Sequence, residues 1–350
     1  VHAINSAGRT VSDPVTLQVE AGASADTDGD GIPDPIERML GMNANAAATP
    51  DSANTALRLR KAGATVVLLE KNDTVGGKVA ERRANGFRWD LGPSLFTMPQ
   101  ILDRLFADLG ETRKDYLSLE PLSPNCRYRW ADGYQFDENE FFWSRPDSAR
   151  LLRHAEGLYK LSAPAFLESD PSEIWKKILN PALLPLLRYL PAMSPFRSLA
   201  SASRHFYTDP HLQQFLQRFA TYNGSDPELT PATFAVIPYV QARFGGWYIR
   251  GGIRRLAEAL FELAQKHGVE IQTSAEVSSI DRTGVTLASG KKISADLIFH
   301  NGDVLRAYQK MIQHPRASEI ASKMAEPERA ISGFVVLLGV KGKDSSLAHH

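Results

Sequence analysis

The sequence lacks a second cysteine. Cys126 stands alone among 350 residues, so no internal disulfide can form. The fold therefore does not depend on an oxidising compartment. A lone thiol reads as a small buried hydrophobe, with a reactive thiol as the competing reading. Net charge is also missing, because 40 basic and 40 acidic residues cancel. Nucleic-acid binding calls for a basic surplus or stripe, so no nucleic-acid partner is expected. No apolar run reaches the ~18–20 residues of a membrane-spanning helix. No signal peptide opens the chain, which begins at Val1 and reads as a piece of something longer.

What is present is ordinary in bulk and uneven along the chain. Apolar residues make up 43 % and charged residues 23 %, as in a soluble globular protein large enough for two or three domains. Residues 1–22 read as strand and turn, with Val15-Thr16-Leu17-Gln18-Val19 alternating behind the turn cluster Asn5-Ser6-Ala7-Gly8. They resemble the last strands of an immunoglobulin-like extracellular domain. Residues 23–43 hold a calcium-loop pattern. Asp26, Asp28, Asp30, Ile32, Asp34 and Glu37 fall at loop positions 1, 3, 5, 7, 9 and 12, with Gly31 at the sharp bend. Calcium is a hard cation that takes six or more oxygens, which clustered carboxylates and one carbonyl can supply. The loop resembles the calcium repeats of bacterial surface proteins, and an acidic solvated linker is the competing reading. Residues 44–52 read as a junction.

From residue 53 the pattern is α/β. A helix over about 52–62 leads into the apolar run Ala64-Thr65-Val66-Val67-Leu68-Leu69, which stops on Glu70. A carboxylate at the end of a buried strand suits a ribose, whose hydroxyls it accepts. Gly76 and Gly77 let backbone approach a phosphate or a ring. A solvated strand end is the bland alternative for Glu70. A short strand is predicted over 85–90 and a hairpin over 127–137. Residues 146–223 are mostly helical between prolines, and an amphipathic helix covers 253–267. Strands follow over 269–273, 277–281, 284–288, 292–294 and 295–299.

Several of these segments together resemble one family. Leu69-Glu70-Lys71-Asn72-Asp73 with Gly76-Gly77-Lys78, then Gly86-Phe87, Asp90, Gly92-Pro93-Ser94 and Met98-Pro99, are similar to the FAD-containing bacterial carotenoid desaturases. These are the phytoene and hydroxycarotenoid desaturases within the wider flavin amine-oxidase-like group. Tyr128-Arg129-Trp130, Thr230-Pro231-Ala232-Thr233, Gly245-Gly246-Trp247-Tyr248, Gly251-Gly252-Ile253, Ala275-Glu276-Val277 and Asn301-Gly302-Asp303 extend the likeness over about residues 53–350. Two departures stand out. The family opens with a strand and Gly-x-Gly-x-x-Gly, whereas Pro50-Asp51-Ser52-Ala53-Asn54 stands in that place without a glycine. The chain also stops at His350, before the family's last flavin-binding segment. The expectation is a desaturase body missing both ends, behind an unrelated extracellular piece.

The resemblance implies an FAD-binding Rossmann-like domain, incomplete at its first strand, with an inserted helical substrate domain. The expected parts are 53–145 and 246–330 for the cofactor, 146–245 for a substrate- and membrane-facing part, and 331–350 for a further strand. It implies FAD as cofactor, a carotenoid polyene as substrate, and desaturation by hydride transfer to flavin, impaired in this chain. Cofactor contacts would come from Glu70, Gly76, Gly77, Lys78, Gly92, Pro93, Ser94, Gly251, Gly252, Val277 and Asp303. An N-cap is the plainer role for Asp303. Arg153 and Glu156 are acid/base candidates, against a simple i, i+3 ion pair. Residues 174–179 and 183–190 mix large apolar groups with bases and suit one membrane leaflet, with a packed helical wall as the alternative. A cytoplasmic, membrane-peripheral enzyme is expected, and the extracellular look of the first residues conflicts with it. Two other readings compete: a calcium-binding surface module with a passive α/β scaffold, and a flavin amine-oxidase-like enzyme on a polar substrate.

Overall fold

The computed structural model describes residues 16–20, 52–163, 197–325 and 335–342. In chain order the strands are β1 (Thr16–Glu20), β2 (Thr65–Leu69), β3 (Glu81–Ala84), β4 (Phe87–Asp90), β5 (Leu119–Pro121), β6 (Arg127–Arg129), β7 (Gln135–Asp137), β8 (Trp247–Ile249), β9 (Glu270–Gln272), β10 (Val277–Asp281), β11 (Gly284–Leu287), β12 (Lys292–Ser294) and β13 (Leu297–His300). The longer helices are α1 (Ser52–Lys61), α2 (Pro99–Asp108), α3 (Pro146–Ser162), α4 (Leu199–Phe206), α5 (Pro210–Gln217), α6 (Val236–Phe244), α7 (Arg254–Lys266) and α8 (Ala317–Ala325). The described residues divide into two compact units. One lies within 1–93, 103–117 and 251–328, the other within 94–102, 118–250 and 329–350.

The first unit is built on a sheet of order β13-β1-β2-β9. β2 is a run of β-branched and leucine side chains, as a strand covered on both faces requires. It follows α1 through a glycine stop. Gly63 has a left-handed φ of 92°. Its N–H reaches Arg60 O at 3.0 Å and the Ala64 N–H reaches Leu59 O at 3.1 Å, which closes the last turn. The same device ends α7: Gly268 N–H to Gln265 O at 3.0 Å, Val269 N–H to Ala264 O at 2.9 Å. Two helix–glycine–strand units thus feed β2 and β9, which pair in parallel. A second, antiparallel sheet of order β10-β11-β12 packs its Ile280, Val285 and Leu287 with Leu69 and Met311 into one core.

The second unit holds the β6–β7 hairpin, the β5–β8 pair and helices α3 to α6. Its core is aromatic: Phe142, Trp143, Phe206, Tyr207, Phe215 and Phe219 are all buried. This core explains why the boundary differs from the expected one. Residues 118–145 belong with the helices, not with the cofactor segment. Tyr128 and Phe136 of the hairpin lie against Phe215 at 5.0 and 5.4 Å, and their apolar face is completed only there.

The strand expected near residues 15–19 is present as β1, but not as part of a separate immunoglobulin-like hairpin. It pairs with β2 and β13 in the α/β sheet. The expected further strand after 331 is not formed at 335–340, which carries no regular secondary structure. The calcium-loop residues Asp26, Asp28, Asp30, Ile32, Asp34 and Glu37 lie outside the described residues, as do 44–51 and the leaflet-facing stretches 174–179 and 183–190. Among the described residues no helix is long and apolar enough to cross a membrane.

Candidate functional site

Glu70 sits where the sequence places it, at the carboxyl end of β2. Its N–H continues the ladder to Gln272 O at 2.9 Å, and its carbonyl accepts the Ala275 N–H at 2.9 Å. The side chain is 1 % exposed. Its Oε1 accepts both the backbone N–H and the Nδ2–H of Asn72, each at 2.8 Å. A ribose hydroxyl reaching this carboxylate has to compete with Asn72. Asn72 was not singled out from sequence, although an asparagine two residues past a strand end is a familiar turn former.

Lys71, the next residue after Glu70, lines a cavity of about 170 Å³ together with Glu276, Val277, Ser278, Arg306, Lys310 and Met311, and Glu70 itself is not in its lining. Val277 and Lys71, which follows β2, line the same cavity. Arg306 and Lys310 were not foreseen; they follow β13 on a short helical turn capped by Asp303. The Asp303 carboxylate accepts the Arg306 N–H at 2.7 Å, so its plainer N-cap role is the observed one.

His300 closes β13 at the same sheet edge. Both of its ring nitrogens are buried without a hydrogen-bond partner among the described residues. Burial lowers its pKa, against the opposing pull of Asp303. A histidine at the end of an apolar strand was the available sequence signal, and it was missed.

The glycine segment turns sharply. Gly76 and Gly77 take φ of 118° and 48° and enter a short turn, Gly77–Val79. A Cβ on Gly76 would stand 3.1 Å from Ala257 Cβ of α7, so this glycine serves helix packing. Gly77 and Lys78 are exposed. Gly252 is buried because Arg88 lies over it. A Cβ there would meet Arg88 Nη1 at 2.0 Å and Asp90 Oδ1 at 2.6 Å, the two partners of an ion pair. Gly92, Pro93 and Gly251 are exposed in the same unit, while Ser94 belongs to the other one. Arg153 and Glu156 do not form the expected pair. Glu156 binds Lys160 at 2.6 Å along α3, and Arg153 is exposed.

The helical unit holds its own buried ionisable cluster. Glu138 is 1 % exposed, and burial pushes its carboxyl up to about 7. Its Oε2 accepts the Tyr128 hydroxyl at 3.2 Å, and Arg218 Nε donates to the same hydroxyl at 2.9 Å. Burial raises the Tyr128 hydroxyl and the neighbouring Cys126 thiol, so neither is an activated nucleophile.

Comparison with known proteins decides the family. The flavin containing amine oxidoreductases match residues 54–299. The chain belongs to this family. Among curated relatives, a 4,4'-diapolycopene oxygenase of Methylomonas sp is 35 % identical over 316 residues, covering 85 % of this chain and 62 % of the relative. A 1-hydroxycarotenoid 3,4-desaturase of Flavobacterium sp. (strain P99-3) is 33 % identical, covering 84 % and 62 %. The chain spans about 62 % of the length of these relatives. A solved putrescine oxidase bound to putrescine shares the fold, with a TM-score of 0.51 at 16 % identity, over 77 % of this chain and 60 % of that one. The family match begins after the calcium-loop segment.

The flavin family implies FAD. On the base and ribose side the residues suit it: a buried acid ends a strand that pairs in parallel with β9, and the next residue, Lys71, lines a cavity. On the diphosphate side they do not. A diphosphate is held by N–H groups of a turn that joins a parallel strand to a helix N-terminus. The strand next to β2 is β1, and it runs the other way.

Proposed function

We propose that this chain is the body of a flavin-family oxidoreductase acting on a long polyene, a carotenoid or hydroxycarotenoid. The observation that carries the reading is Glu70, buried at the carboxyl end of β2 and followed by Lys71, which lines a cavity with Val277. Nucleotide ligands of open parallel sheets bind at this edge. The substrate class rests on the relatives, which are named for diapolycopene, diaponeurosporene and hydroxycarotenoid. A hydrocarbon needs an apolar surface more than polar grips. The bases and large apolar groups of 174–179 and 183–190 support delivery of the substrate from one membrane leaflet.

The test is a binding comparison. Five tryptophans report on it, since a bound polyene quenches their emission. Saturable quenching by diapolycopene or a hydroxycarotenoid in liposomes, with no heat of binding for putrescine, is the expected result. Putrescine binding without polyene quenching would replace this reading by an amine-oxidising one.

A further inference from the structure

β2 and β9 are parallel, and β1 is antiparallel to both β2 and β13. Three strands therefore share one direction, and the strand that opposes them sits in the middle. Mixed sheets commonly carry the odd strand at an edge. The register fixes what this reversal does. Thr16 pairs with Leu69 and with His300, while Glu20 pairs with Thr65. β1 thus begins at the carboxyl edge, between Glu70 and His300, and ends at the opposite edge.

Helix α1 begins at the carboxyl edge. The turn after Lys61 reverses the chain, so α1 runs back along β2. Its ten residues span about 15 Å, close to the length of the strand. The chain leaving β1 is therefore a whole strand length from Ser52. A short strand–turn–helix joint, which aims backbone N–H groups at a diphosphate, cannot connect them.

We propose that the reversed β1 closes the central slot of the sheet and leaves this chain with the base-and-ribose half of a dinucleotide site but without its diphosphate half. The inference rests on the nucleotide edge assigned under Proposed function. It adds that the direction of one strand, not the loss of Glu70 or of the cavity, is what separates this chain from FAD.

Two measurements test it on the full chain. The first is calorimetric titration with AMP and with FAD. The two should bind within about threefold of each other, because the second phosphate and the flavin meet no cradle of N–H groups at a helix N-terminus. The second reads strand direction without any ligand. In a Cys126→Ser background, Thr16→Cys with Leu69→Cys should cross-link on mild oxidation. Glu20→Cys with Leu69→Cys should not, because four residues of antiparallel strand separate them by roughly 13 Å, beyond disulfide reach. As a gain of function, residues 1–51 are replaced by a strand ending in Gly-x-Gly-x-x-Gly. FAD should then tighten about 100-fold with AMP unchanged. FAD retained through purification of the parent chain, preferential cross-linking of the 20/69 pair, or a folded graft that gains no FAD affinity each overturns the inference. If AMP binds neither protein, the nucleotide edge itself is wrong, and the inference falls with it.

Discussion

Glu138 shows how burial alone sets the behaviour of a residue. Its carboxyl titrates near 7 where an ordinary one titrates at 4.5, so the folded chain holds a proton that the unfolded chain has released. Between those values the native state binds more protons, and stability falls as pH rises. The loss is roughly 3 kcal/mol at most by pH 7. Glu138→Gln cannot ionise, so its urea midpoint should stay level across this window while that of the parent declines; equal slopes would contradict the burial argument. His211 moves stability in the same direction for the opposite reason, because here the charged form is the one held. Asp132 lies 2.8 Å from Nε2 and Asp209 lies 3.0 Å from Nδ1, and these carboxylates raise its pKa, with Asp132 the stronger. The charged form is favoured, so its stabilisation is complete below about pH 6.5 and is lost as pH rises through the raised value. Proton NMR should show the His211 pKa dropping in Asp132→Asn. No drop would mean that the pair does not persist in solution. Neither cluster was legible in the sequence, because Glu138 and Arg218, or Asp132 and His211, meet only through the fold.

At the scale of elements, glycine positions that look alike in sequence differ in what they tolerate. Gly63 and Gly284 both have positive φ, 92° and 149°. Nothing lies within 4 Å of a Cβ built on Gly63, whereas one on Gly284 meets Ile293 O at 2.1 Å, and that oxygen is backbone. Gly63→Ala should therefore cost about 1–2 kcal/mol of conformational strain. Gly284→Ala must also push β12 from β11, and a loss of about 3 kcal/mol or more is expected from thermal or urea unfolding. Similar losses at the two sites would refute the distinction. The α7 helix, the β6–β7 hairpin and strands β2, β10 and β12 were readable because their signals are local: amphipathic spacing, a turn at Ala131-Asp132-Gly133, an apolar run. The placement of β1 was not. Thr16–Glu20 alternates like any half-buried strand, and alternation does not say which sheet, which neighbours or which direction. Those follow from pairing with residues some 50 and 280 positions away.

The whole molecule follows from how the chain threads its two units. The first draws β1, α1 and β2 from before residue 93, and α7, β9 and β13 from after residue 251. β2 needs β9 on one side, and β1 needs β13, so neither half of the chain can complete that sheet. The aromatic core of the second unit is different. Its members, from Tyr128 to Ala242, all lie on one side of residue 250. Cutting the chain between Arg250 and Gly251 should therefore separate the two. In the 1–250 fragment, the near-ultraviolet circular dichroism of the Tyr128, Phe136, Phe142, Trp143 and Phe215 cluster should survive. Amide protection at Val66, Val67, Leu68 and Leu69 should vanish, because Val67 to Leu69 have lost their parallel partners Glu270 to Gln272. Adding the 251–350 fragment should restore protection with a rate that depends on concentration, as long-range strand pairing between two chains must. Protection of β2 in the isolated 1–250 fragment would show that β1 alone holds it, and that the sheet does not need the second half of the chain.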